Sequence, residues 1–306
     1  MRAIVLGAAA GGAFPQWNSN AAACQRARAG DPLARPCTQA SVAVSADGEH
    51  WTLLNASPDL RQQIEQTTAL HPQHGKRSSP IAAVVLTGGD VDAIAGLLTL
   101  RERQRFTLYA TARVHAVLDD NPIFEVLARD VVARQILQLD QDQSIALPTG
   151  RPSGLTVRPF AVPGKTPLYL ERPGETPELS ETDQTIGLAV SDATGTLFYI
   201  PGCAAMTPAL AVRLRGAAAV LFDGTLWADD EMVRAGVGAK TGLRMGHMSV
   251  SGPGGTLAAF AGLNITQRVL LHINNSNPIL LDDSPERAAV EAAGWRVAFD
   301  GMELRL

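Results

Sequence analysis

Two histidines and three aspartates in this chain stand where side chains can meet to do chemistry. His272 ends the apolar run Val269-Leu270-Leu271 and begins the polar stretch Ile273-Asn274-Asn275-Ser276-Asn277-Pro278. Asp223 has the same setting, after Ala219-Val220-Leu221-Phe222 and before Gly224-Thr225-Leu226-Trp227. His247 lies in Arg244-Met245-Gly246-His247-Met248-Ser249, just before a Gly-Pro-Gly-Gly run. The carboxyl end of a buried strand is where α/β folds place reacting groups, and a carboxylate buried there is costly unless paired or bound to a cation. Asp90 and Asp92, two apart in a glycine-rich loop, repel each other unless a cation or proton lies between them. Asp92 has an alternative use as the cap of the helix that follows. The plainer reading of His247 and His272 is a core histidine bonded to backbone carbonyls, but two such strand-edge histidines together favour a site. Two imidazoles with one or two carboxylates leave open positions on a metal and suit non-haem Fe(II) and oxygen chemistry. Three imidazoles would point to zinc and hydrolysis instead. His50, His71, His74 and His115 read as solvated or structural.

The elements that must position these groups alternate between strand and helix. Strands are predicted at Ala3–Leu6, Ala40–Ser45, Trp51–Asn55, Ile81–Leu86 and Thr107–Tyr109. Further strands are predicted at Ile136–Leu139, Leu155–Phe160, Ile186–Val190, Thr196–Ile200, Ala218–Phe222 and Arg268–His272, with a closing β segment ending at Leu304. Helices are predicted at Asp59–Gln66 (Ser57 as N-cap, Pro58 at N1), Val91–Leu100, Ala112–Leu118, Pro208–Leu214, Gly255–Phe260 and Ser284–Ala293. Hairpins mixed with crossover helices imply an α/β fold of two mixed sheets with helices outside, in one domain over residues 1–306. Val162–Gln184, with four prolines and several glutamates, reads as a flap near the site.

Apolar residues make up 46% and charged residues 18% of the 306, enough to build a sizeable core. A net charge of −4 with scattered Lys and Arg argues against nucleic acid as a partner. No signal peptide precedes the first strand and no apolar run is long enough to span a membrane. Cys24, Cys37 and Cys203 are odd in number and widely spaced, which suits a reducing cytoplasm.

The run Leu86-Thr87-Gly88-Gly89-Asp90-Val91-Asp92-Ala93-Ile94-Ala95-Gly96-Leu97 resembles the metal-binding loop of the metallo-β-lactamase superfamily, L-T-H-x-H-x-D-H-x-x-G-L. Gly88, Asp90 and Ala93 replace its histidines, and only Asp92 of the ligand set is kept. Nearly the whole chain is similar to the coenzyme PQQ synthesis protein B family of that superfamily. The similarity rests on Gly11-Gly12-Ala13-Phe14-Pro15-Gln16-Trp17-Asn18, Asn55-Ala56-Ser57-Pro58-Asp59, Asp223-Gly224-Thr225-Leu226-Trp227, Met245-Gly246-His247, His272-Ile273-Asn274-Asn275 and Phe299-Asp300-Gly301-Met302. Where the family continues W-N-C-N-C-x-x-C, this chain has Ser19, Ala21 and Cys24, so the resemblance implies no structural zinc there. The RNA-processing branch is similar too. Its catalytic Asp resembles Asp92, and its H-E-A-T segment resembles Phe222-Asp223-Gly224-Thr225. Its G-H-S-T segment resembles Gly246-His247-Met248-Ser249, and its late metal-binding histidine resembles His272.

The resemblance implies the αββα metallo-β-lactamase sandwich and a role in PQQ biosynthesis. One reading is an enzyme that hydroxylates the tyrosine ring of a Glu-Tyr-derived precursor with Fe(II) and oxygen. His247, His272 and Asp223, Asp92 or Asp90 would bind the metal, with Asp92, Asp223 and His247 catalytic. Arg61, Arg101 or Arg244 would clamp the substrate carboxylates. The other reading is a non-catalytic protein that carries PQQ or its precursor towards the periplasm. Other PQQ-biosynthesis proteins are implied partners, and a homodimer is compatible with both readings. A metal-dependent hydrolase has the fold in its favour and the missing histidines against it.

Overall fold

A computed structural model describes residues 1–171 and 179–306. The first sheet is built from β1 (Arg2–Gly7), β2 (Ser41–Ser45), β3 (Trp51–Leu54), β4 (Ile81–Val85), β5 (Phe106–Ala110) and β6 (Val132–Ile136) in spatial sequence. β3 to β6 run parallel, while β1, β2 and β3 are antiparallel neighbours. The second sheet contains β7 (Gln143–Ala146), β8 (Pro152–Gly164), β9 (Ser180–Ser191), β10 (Thr196–Ile200), β11 (Ala219–Asp223), β12 (Gln267–Leu271) and β13 (Arg296–Val297), again in order. Its last four strands are parallel. The final strand, β14 (Glu303–Arg305), returns to the first sheet and pairs with β1.

The period-two alternation of strand side chains separates two cores. Ala3, Val5, Ala83 and Val85 face the second sheet, where they pack with Tyr199, Leu221 and Leu271. Ile4, Leu6, Val84 and Leu108 face outward and are covered by Leu60, Ile94, Leu97 and Val114. The result is the αββα sandwich that the sequence implies. No described helix is long and apolar enough to cross a membrane.

Four local expectations shift. Residues 91–100 form an α-helix only over Val91–Ile94 and continue as a 3₁₀ helix over Ala95–Leu100. Tertiary bonds pull the chain tight there: Ala56 N–H donates to the Ala93 carbonyl and Gly96 N–H to the Ala56 carbonyl, both at 2.8 Å. A Cβ on Gly96 would lie 2.1 Å from the Ser57 carbonyl, so only glycine allows this approach. Ser57 does not cap the helix Leu60–Gln66; Asp59 holds the cap position, and the Ser57 hydroxyl bonds Gln63 inside the fold. The strand expected at Ile136–Leu139 is Val132–Ile136, an edge strand whose central Arg134 and Gln135 interrupt the apolar run and whose residues are largely exposed. Much of the expected flap is sheet, because β8 runs to Gly164 and β9 begins at Ser180; Leu168–Leu170 is a 3₁₀ turn, and residues 172–178 lie outside the described residues.

Candidate metal centre

The carboxyl ends of parallel strands from both sheets meet at one edge. β4 delivers the loop with Asp90 and Asp92, β11 ends at Asp223, and His272 follows β12 directly. His272 sits in the left-handed region at φ 58°, which turns its ring back over the edge instead of continuing the strand. Asn55, also left-handed at φ 62°, ties the two sheets together. Its Oδ1 accepts from Thr87 N–H at 2.8 Å, and its Nδ2 reaches the Tyr199 hydroxyl at 3.3 Å. Thr87 in turn accepts from Ile186 N–H of β9 at 2.9 Å. The loop carrying Asp90 and Asp92 is thereby anchored at its start.

Two imidazole–carboxylate pairs lie side by side. His247 Nδ1 is 2.7 Å from Asp223 Oδ2, and His272 Nε2 is 2.9 Å from Asp92 Oδ2. The two rings stack with centroids 5.2 Å apart and planes 21° from parallel. Thr225 Oγ1 sits among them, 2.7 Å from Asp223 Oδ1, 3.1 Å from His247 Nδ1 and 2.9 Å from His272 Nδ1.

Burial sets the electrostatics. Desolvation pushes the Asp90 carboxyl up to about 6, and the adjacent Asp92 charge adds to it. Desolvation alone would raise Asp92 as well, but the hydrogen bond and charge of His272 hold it below the ordinary value. His272 moves up for the reciprocal reason: burial disfavours its charge, and its bond to Asp92 outweighs burial. Asp223, fully buried, is kept low by His247 against its own desolvation.

Donor atoms of Asp223, His247 and His272 lie within 4.8 Å of one another, a span one cation can bridge. The middle of that cluster holds the Thr225 hydroxyl, however, and Asp223 has no acceptor site to spare. Its Oδ1 accepts from Thr225 N–H and Oγ1, and its Oδ2 from Cys203 N–H and His247 Nδ1. Four donors saturate a carboxylate. Expected as a metal ligand, Asp223 in this geometry fixes the His247 ring. Asp90, Asp92, His247 and His272 instead line a cavity of about 150 Å³ between the sheets, with Asn55 and Thr87. Around that cavity, carboxylate oxygens and an imidazole Nε2 form a nitrogen–oxygen donor set of the kind that suits Fe(II) or Zn(II). Asp92 does not cap its helix; its side chain is spent on His272, and Asp90 holds the cap position without a side-chain bond.

The cavity opens into a cleft of about 690 Å³ whose rim carries Val91, Leu168, Tyr169, Met245, Lys165 and Lys240. Tyr169 reaches back across it, its hydroxyl donating to the Gly89 carbonyl at 2.6 Å. Of the expected carboxylate clamps, Arg61 and Arg101 are exposed and line neither space. Arg244 lies beside the site but is engaged with Glu171 at 2.9 Å, as is Lys165 at 2.8 Å. Sequence reasoning gives Thr225, Asn55, Lys165 and Lys240 no role. Thr225 stands in the motif that carries Asp223, and Asn55 opens the motif Asn55-Ala56-Ser57-Pro58-Asp59; those positions were the available signals. The other four histidines behave as read: His50 pairs with Asp47 in a turn, His71 is half-buried and bonds the Glu65 carbonyl, His74 is exposed, and His115 bonds the Gln135 carbonyl. All three cysteines are free and buried, with the Cys24 thiol facing Asn275.

Residues 50–273 match the family model of the β-lactamase superfamily domain. The chain is 64% identical to coenzyme PQQ synthesis protein B of Gluconacetobacter diazotrophicus, with 98% of each chain covered. It is 54% identical to the protein of the same name from Methylorubrum populi over the full length of both. Among solved structures, zinc-bound PqqB from Methylobacterium extorquens superposes with a TM-score of 0.96 at 52% identity, covering all of both chains. A diphosphatase of the PhnP family superposes with a TM-score of 0.68 at 22% identity, covering 99% of this chain and 97% of that one, and shares the fold.

Proposed function

This chain belongs to the coenzyme PQQ synthesis protein B family of the β-lactamase superfamily, and we propose that it serves PQQ biosynthesis as a metal-dependent oxygenating enzyme. The observation that carries this reading is the Asp92–His272 pair on the cavity floor, with Asp90 crowded beside it. Asp92 and His272 would hold the metal, and Asp90 of the same loop would be a further carboxylate lining the cavity. Bound Fe(II) would supply the oxygen chemistry that protein side chains lack. The zinc-bound relative supports a divalent ion in the family. The absence of donor side chains at Gly88 and Ala93 argues against superfamily hydrolysis with two imidazole-bound metals.

The rest of the chemistry belongs to the chain. His247, its Nδ1 held by Asp223, keeps Nε2 for a proton at the substrate ring. Val91, Leu168, Tyr169 and Met245 offer an apolar surface to an aromatic ring and exclude water. Lys240 draws carboxylates to the rim. These features suit a Glu-Tyr-derived precursor whose tyrosine ring is hydroxylated. The small donor set and the wide apolar cleft also favour a second reading, a carrier of PQQ or its precursor.

One experiment separates the two. Purified protein is titrated with Fe(II) and Zn(II), then assayed for oxygen-dependent conversion of a Glu-Tyr dipeptide by mass spectrometry. Metal uptake with turnover is expected. Tight PQQ binding with neither would establish the carrier.

A further inference from the structure

The Thr225 hydroxyl has one proton and four polar neighbours, and the arithmetic of that proton fixes the histidines around it. Two neighbours accept only: Asp223 Oδ1 at 2.7 Å and the His272 carbonyl at 2.9 Å. Whichever takes the hydroxyl proton, none remains for a ring nitrogen. His272 Nδ1, 2.9 Å from the same oxygen, is therefore the donor in that contact. His247 Nδ1 must also carry hydrogen, because Asp223 Oδ2 lies 2.7 Å away.

We propose that Thr225 is a positioning residue that holds a hydrogen on His272 Nδ1 and so reserves Nε2 as the nitrogen that gives up its proton to bind a metal. Nε2 faces Asp92 and the cavity and donates to Asp92 in the metal-free protein. The hydroxyl does this in a setting that tolerates no substitute partner. Thr225 is 3% exposed, and its hydroxyl also binds the carbonyl of His272 itself. That residue is left-handed, a conformation disfavoured for a non-glycine residue that persists where the surroundings over-determine it. One hydroxyl thus secures the backbone and the ring orientation of His272, and through Asp223 it reaches the neighbouring His247. Outer partners of this kind typically contribute about 10- to 100-fold to metal affinity.

This inference rests on the metal reading above, and its first readout needs no metal. In metal-free protein labelled with ¹⁵N, long-range ¹H–¹⁵N spectra should show a slowly exchanging, downfield hydrogen on His272 Nδ1 in the wild type and in Thr225→Ser. Thr225→Val should lose that protection. Zinc affinity by calorimetry should fall about 10- to 100-fold in Thr225→Val and stay within about threefold of wild type in Thr225→Ser. A bare Nδ1 in the wild-type protein would overturn the proposal without recourse to any variant, so misfolding of Thr225→Val cannot shelter it. Unchanged zinc affinity in a folded Thr225→Val would overturn it too. Wild-type protein that binds no metal yet shows the protected Nδ1–H would sink the metal reading alone and leave the role of Thr225 in fixing the ring supported.

Discussion

The loop after β4 brings Gly88, Asp90, Asp92 and Ala93 to the cavity, whereas the segments after β11 and β12 bring Thr225 and His272, backed by Asp223 and His247. On the first wall two donor positions of the superfamily loop carry no ligand, and two carboxylates crowd each other. On the second wall every polar atom of Asp223 is bonded, and the two histidines are locked into one network. The first wall therefore supplies unsatisfied charge, and the second supplies rigidity. Binding demand and structural support are divided between the sheets, and Asp92–His272 is where they touch.

That division can be broken from either side. The largest effect is expected from Asp223→Ala, which strands the half-buried His247 imidazole and the backbone N–H groups of Cys203 and Thr225. Loss of one member of a buried pair costs about 3–5 kcal/mol, readable as a shifted urea midpoint; a change below about 1 kcal/mol would mean that the second wall is not held by this network. His272→Ala should next reduce Fe(II) and Zn(II) affinity at least about 100-fold, roughly 2.7 kcal/mol, with a smaller cost in stability. Calorimetric titration decides, and an unaltered affinity removes His272 from the ligand set.

Gly88→His sharpens the contrast by refilling the first wall. A Cβ there would meet only the Gln184 carbonyl at 3.5 Å and Asp90 Oδ2 at 3.9 Å, ordinary contacts. Zinc affinity should rise about tenfold, or 1.4 kcal/mol; no gain would mean that the wall is shaped against a second ligand.

The smallest effect concerns Asp90. Its carboxyl is raised from 3.8 to about 6 on folding, so the folded protein prefers the protonated form. The associated stability is full below pH 4 and is lost as pH rises through 6. Metal-free protein should lose about 1 kcal/mol between pH 5 and pH 7 from this group. Asp90→Asn should abolish that slope in denaturation curves, and an identical slope in both proteins would discard the crowding argument.

Much of the fold is legible in the sequence because buried parallel strands such as Ile81–Val85 and Ala219–Asp223 are continuous apolar runs. Strand ends, and so His272 and Asp223, follow from where those runs stop. Edge strands resist this reading: Val132–Ile136 carries Arg134 and Gln135 at its centre and is largely exposed, so it gives no continuous apolar run. The 3₁₀ turn at Ala95–Leu100 is hidden too, since its cause is a contact with Ala56, far away in the chain. Within the site, residue type pointed to the side chains that meet at the cavity but not to which of their atoms remain free. Whether Asp223 binds a metal or a histidine depends on the Cys203 N–H and the Thr225 hydroxyl, and no spacing in the sequence encodes those bonds.

Crystals grown with Fe(II) or Zn(II) and measured at the metal's absorption edge would locate the ion by anomalous scattering. The expected peak lies in the cavity, bonded to His272 Nε2 and an Asp92 oxygen, with the Asp223 carboxylate still held by Cys203, Thr225 and His247. A peak bonded to Asp223, or an ion bound without His272, would contradict the division of labour between the two walls.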